Sequence, residues 1–217
     1  MIINRSSFRY SPTVVEVASG ALLARPASVP GHAEAADVLV AQYESVPFER
    51  AHAGIMNYLE VPPGRAAVIG AASGRDAAAL AARGHEVVAA ESVAELERLD
   101  GEFGLVLMTA VWTHLDDEER DRTLKRVVSL LAPGGRWALT LRHSPAEQEW
   151  QAFDVNPGDL IFDAAGLGLE LAHFSYRDDP HGRGDVTWTS IVMDAPPPGS
   201  EPFQSAADLS DDPEPLA

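Results

Sequence analysis

Three groups of residues in this chain have the type and spacing to do chemistry. The first is the turn Gly70-Ala71-Ala72-Ser73-Gly74 with the carboxylate Glu91, which lies 21 positions after Gly70. Glycines let a backbone pass close to a ligand, and a helix behind such a turn offers unpaired N–H groups. A carboxylate at this spacing reaches a ribose diol. The turn lacks the full G-x-G-x-x-G, so the motif alone fits a ligand cradle and a plain strand-to-helix turn equally well. The second group is Arg142-His143, which directly follows an apolar run. It can bind an anionic group or move a proton, because histidine titrates near neutrality; the alternative is an exposed loop start. The third is His114 with Asp116-Asp117-Glu118-Glu119. Four acids suggest a metal at first sight, but acids at a helix start cap it and complement its dipole. No metal site is expected.

The elements that must hold these residues can be read from periodicity. Residues 66–69 form a short uncharged run, as expected of a strand buried on both faces. Residues 76–83 are rich in Ala and Leu and predict a helix, closed by Gly84. Residues 85–90 predict a second strand, completing a βαβ unit. Residues 33–43 and 48–58 carry apolar residues at helical spacing. A helix is expected from Asp116 to Leu131 and another over 156–165, with Pro157 in its first turn and Gly166 at its end. Residues 169–176 and 186–193 predict the last two strands.

The βαβ unit, the stretch from Phe103 through Trp112 and His114 to Leu115, and the Pro133-Gly134-Gly135 turn before residues 136–141 together resemble the class I S-adenosylmethionine-dependent methyltransferases. The resemblance covers roughly residues 43–193. It implies an α/β, Rossmann-like fold with a mostly parallel sheet and a C-terminal antiparallel strand. Three departures stand out. Val68 replaces the acid of the family's Asp-x-Gly-x-Gly-x-Gly loop, and Ala72 replaces its middle glycine. Only residues 92–102 separate Glu91 from the next strand, room for one short helix at 93–99. The family's third strand therefore has no place here, and the fold is abbreviated between the family's strands 2 and 4.

The resemblance implies S-adenosylmethionine as cofactor, held by Gly70, Ala71, Ala72, Gly74 and Asp76 at its methionine end and by Glu91 at its ribose. Thr109, Ala110 and Val111 would floor the pocket. Tyr43, His52 and Trp112 would face a small-molecule substrate, the first two from helices laid over the site. His143, Arg142 and, as a lesser candidate, His114 would serve catalysis. The function implied is methylation of a small molecule. The alternative is a methyltransferase-like protein that does not methylate, either a repurposed cyclase or lyase or a noncatalytic binding partner.

Composition narrows the partners. With 16 Lys+Arg against 33 Asp+Glu, a net charge of −17 opposes binding to nucleic acid or anionic membrane. The chain has no cysteine, which removes thiolate chemistry and Cys-based zinc sites. No membrane span or signal peptide is evident, so a cytoplasmic protein is expected. Residues 1–32 read as an N-terminal arm and 33–194 as the methyltransferase-like domain. Residues 195–217, acidic and Pro-rich, read as a disordered tail. The oligomeric state cannot be read.

Overall fold

The computed structural model describes residues 45–70, 74–144 and 153–200. Its centre is a six-stranded sheet: β1 (Arg65–Ile69), β2 (Glu86–Ala90), β3 (Phe103–Thr109), β4 (Leu131–His143), β5 (Glu170–Asp178) and β6 (Thr187–Asp194). The strand order is β2-β1-β3-β4-β6-β5. The first four strands are parallel, and β6 pairs antiparallel with both β4 and β5. This is the Rossmann-like architecture expected, with β2 as an edge strand. Between β2 and β3 stands only the single-turn helix α4 (Val93–Leu96), and among the described residues no strand flanks β2 on its outer side.

Each side of the sheet has its own apolar layer, because successive strand residues point to opposite faces. Ala66, Val68, Leu105, Leu107, Ala138 and Val192 meet α3 (Arg75–Ala82) and two short helices, α1 (Phe48–Ala51) and α2 (Met56–Leu59). Ala67, Ile69, Val106, Met108, Leu139 and Ile191 meet α4, α5 (Asp117–Leu130) and α6 (Pro157–Gly166). We call these the cap face and the α5 face. The helix expected over 48–58 is thus broken in two, with turn residues, Gly54 among them, between the halves. At Gly54 a Cβ would stand 3.2 Å from Ser175 Oγ, so glycine there lets the chain lie against the sheet.

Three arginines fasten this cap. Arg177 donates to the carbonyls of Arg50 (3.1 Å) and Ala51, which are end groups of α1 with no helical partner. Arg136 donates to the Tyr58 carbonyl at 3.0 Å while paired twice with Asp194, at 2.6 and 2.7 Å. Arg75 reaches the Val46 carbonyl at 3.3 Å.

The acid run after His114 is a helix start. Asp116 Oδ1 accepts from the Glu119 N–H at 2.8 Å, and Glu119 Oε2 accepts from the Asp116 N–H at 3.1 Å, a capping box. Asp117 and Glu118 pair with Arg120 and Arg122 along the helix. Pro133-Gly134-Gly135 does not precede its strand but lies inside β4, as an irregularity in the pairing with β3. Ala195 and Pro196 extend the pairing of β4 with β6. The Ala195 N–H donates to the Gly135 carbonyl and the Gly134 N–H to the Pro196 carbonyl, both at 2.8 Å.

Candidate active site

The carboxyl ends of β1, β2, β3 and β4 meet at one edge of the sheet, beside the cap. At β1 the chain turns through Gly70, whose φ is +82°; a Cβ there would come within 2.3 Å of Val111 Cγ2. Only glycine fits that turn. Gly74, at φ +73°, precedes α3 and has no capping side chain. At β2, Glu91 is buried, and its N–H donates to Glu95 Oε2 at 2.7 Å. Ser92 caps α4 by accepting from the Glu95 N–H at 3.1 Å. The short helix that replaces a strand thus fixes the backbone of Glu91. At β3, Ala110 adopts φ +54°, a left-handed conformation that costs an alanine about 1–2 kcal/mol. Its N–H donates to the Thr140 carbonyl at 2.9 Å.

Asp76 is the electrostatic centre of this edge. Although Val68 stands where the resemblance leads one to expect an acid, Asp76 brings a buried carboxylate to the same junction from the first turn of α3. Its Oδ2 accepts from Thr109 Oγ1 at 2.7 Å and lies 3.1 Å from His52 Nε2; its Oδ1 accepts from Arg75 Nε at 2.7 Å. Burial alone raises its pKa, but His52 first and Arg75 second outweigh that and hold it well below the usual carboxylate range. His52 is 1 % exposed, its ring 4.7 Å from that of Phe48. Both its ring nitrogens are buried, and neither makes a well-formed hydrogen bond, so the 3.1 Å approach of Nε2 to Asp76 is a charge contact.

The remaining candidates divide between the two faces. Arg142 and Thr140 share the cap face of β4, whereas His143 points to the α5 face, where its Nε2 lies 2.7 Å from Thr189 Oγ1. Adjacent in sequence, Arg142 and His143 cannot close on one group from the same side. Trp112 is buried against Trp137, ring centroids 5.6 Å apart, in the α5-face core. It borders a cleft of about 800 Å³ between α5 and α6, away from the cap. His114 sits in a 3₁₀ turn, Trp112–His114, that leads into α5. Tyr43, Ala71 and Ala72 lie outside the described residues.

Reading the sequence did not reveal a row of hydroxyls that crosses four strands. Thr109 lies opposite Thr140, Thr140 opposite Ser190, and Ser190 opposite Ser175, all on the cap face. The signal was present in the period-2 positions of each strand, but the pairing register that aligns them is not written in any one strand.

No protein-family model matches the chain, and no curated protein matches it in sequence. Solved structures do. One is the Burkholderia thailandensis 1,6-didemethyltoxoflavin-N1-methyltransferase, with a TM-score of 0.55 and 18% identity over 78% of this chain and 92% of that one. The fold is that of the class I S-adenosylmethionine-dependent methyltransferases. A TehB-like methyltransferase of this fold from Corynebacterium glutamicum aligns with a TM-score of 0.54 and 15% identity, covering 76% of this chain and 98% of that one. The N-methyltransferase NodS from Bradyrhizobium japonicum aligns with a TM-score of 0.51 and 15% identity, covering 70% and 99%.

Proposed function

We propose that the protein is an S-adenosylmethionine-dependent methyltransferase acting on a small molecule. The observation that carries the reading is the convergence at one sheet edge of the Gly70 turn, buried Glu91 and the His52–Asp76 pair. These residues fit the cofactor. Gly70 has no room for a side chain, Gly74 leaves the start of α3 without a side-chain cap, and Glu91 directly follows β2, where this fold would hold a ribose diol. The 1,6-didemethyltoxoflavin methyltransferase, with which the chain shares this fold, is described with S-adenosylhomocysteine and its small-molecule substrate bound. When bound, the cofactor supplies an electrophilic methyl group on a sulfonium, so the protein's task is positioning and proton management.

Glu91 would accept hydrogen bonds from the ribose hydroxyls, and the Gly70 turn would let the methionine end come close to the backbone. Asp76, kept ionised, faces His52 Nε2 at 3.1 Å. Nδ1, the ring nitrogen not turned to Asp76, is then the proton acceptor for an oxygen or nitrogen nucleophile. An orienting carboxylate behind a histidine is the usual arrangement for a general base. His143, held by Thr189 on the other face, is the lesser candidate for this step.

Calorimetry with S-adenosylmethionine and S-adenosylhomocysteine tests the reading. The expected dissociation constant is on the order of 10–500 μM, because Ala72 and the missing third strand each remove contacts worth about a decade. Glu91→Ala is expected to abolish measurable binding. No heat at millimolar ligand from folded protein would overturn the reading and leave a methyltransferase-like protein that does not methylate.

A further inference from the structure

Among the described residues, every other partly buried arginine donates to a carboxylate or a carbonyl. Arg65, Arg75, Arg83, Arg120, Arg136 and Arg183 pair with acids, while Arg126 and Arg177 donate to backbone oxygens. Arg142 is partly buried too, yet it makes no hydrogen bond or ion pair with any described residue, and its Nε is among the buried, unpartnered atoms. In a chain of net charge −17, a partly buried guanidinium left with neither a carboxylate nor a carbonyl is an exception that needs a reason. A half-desolvated cation with no counter-charge is costly unless a ligand supplies one.

Its surroundings point the same way. Two residues back on the same face is Thr140, and opposite Thr140 is Ser190; their relative exposures are 1 % and 0 %. Both hydroxyls are buried without a hydrogen-bond partner. Adjacent strands lie about 4.8 Å apart, so Arg142, Thr140 and Ser190 fall within the span of one small molecule. Beyond Thr140 the row continues through Thr109 to Asp76 and His52. Native proteins rarely bury polar side chains without partners, and three unpartnered groups on one face signal a place where a polar ligand completes the set.

We infer that the methyl acceptor is a small oxyanion, a carboxylate or a phosphate ester, whose anionic group is held by Arg142 and whose polar body lies on Thr140 and Ser190 beneath the cap. This rests on the methyltransferase reading for the word acceptor, but the anion site itself does not. Arginine's fork matches the two oxygens of such a group. Gly54 lies against Ser175 and Ser190, so the cap must lift for the ligand to pass beneath it. With the anion at Arg142, the rest of the molecule extends along the hydroxyl row toward His52, the proposed proton acceptor.

The test is titration of the full-length chain with inorganic phosphate and, separately, with sodium propionate, holding ionic strength constant with chloride. The readouts are the Arg142 Nε–H resonance and calorimetry. At least one anion is expected to saturate in the millimolar range and to move the Arg142 signal, and which one does so distinguishes phosphate from carboxylate acceptors. Arg142→Gln is expected to weaken binding at least tenfold. Ser190→Ala, which removes a buried hydroxyl without creating a charge or a large cavity, is expected to weaken it several-fold in a protein at least as stable as the parent. Failure of both anions to saturate would overturn the proposal, as would equal binding to wild type and Arg142→Gln. Titration of the same samples with S-adenosylhomocysteine separates the two readings. Anion binding without it leaves the site standing and removes the methyltransferase; the reverse result removes only the anion site.

Discussion

Asp76 shows how one residue ties stability to the proposed chemistry. Thr109, Arg75 and His52 converge on its carboxylate, each from a different part of the chain. Removing one partner from a buried ion pair costs about 3–5 kcal/mol, since the others keep their desolvation penalty. Asp76→Asn is therefore expected to lower unfolding free energy by several kcal/mol, read in a denaturant titration. The pH dependence has a definite sign. A folded-state pKa held below the unfolded value of about 3.9 gives stability that is complete above about pH 4 and is lost as pH falls through the folded value. Asp179 adds to the same acid limb. Burial opposes its ionisation, while Arg183, the Trp188 indole N–H and the Arg183 backbone N–H more than compensate. In Asp76→Asn the acid limb is expected to be shallower than in wild type, because one of the two carboxylates no longer titrates.

Among the elements, the cap is the one whose behaviour the sequence hides. Helices of four residues have almost no stability of their own, since nucleation takes most of what they gain. What keeps α1 and α2 in place is Arg177 and Arg136 donating to their carbonyls and Arg75 donating to the Val46 carbonyl just before α1, with Phe48, Ile55 and Leu59 buried beneath. Hydrogen bonds from a charged donor contribute about 1.5–3 kcal/mol each. Arg177→Ala is therefore expected to loosen α1 locally, raising amide exchange over residues 48–55 by at least tenfold while β1 and β3 keep their protection. Equal protection throughout would show that apolar contacts alone hold the cap.

At the scale of the whole molecule, one sheet edge gathers every proposed function and the opposite edge carries the chain's exit. Ala195 and Pro196 exchange hydrogen bonds with Gly135 and Gly134 there. A chain cut after Ser200 is expected to unfold within about 2 °C of the full-length protein. One cut after Asp194 loses two backbone hydrogen bonds and is expected to unfold at least about 4 °C lower. Thermal unfolding of the two truncations checks both.

The sequence by itself determined the class of fold. Buried strands, the Gly70 turn, the Ala-rich helix and the absence of room between Glu91 and Phe103 are local signals, written in residue type and spacing. Among the described residues the strands, the left-handed Gly70, the helix and the short β2–β3 connection all reappear, with β2 at the edge of the sheet. The capping box at Asp116 was equally legible, because a cap and its partner lie three residues apart. The tertiary structure alone decided which of the candidate residues meet. His52 and Asp76 are 24 positions apart (76 minus 52) and touch only because the cap folds back over α3. Strand alternation sends Arg142 to the cap face and His143 to the other, although they are neighbours in the chain. The hydroxyl row exists only in the register of four paired strands. Secondary structure follows from forces that act within a few residues. A site is made by long-range packing, which no local pattern encodes.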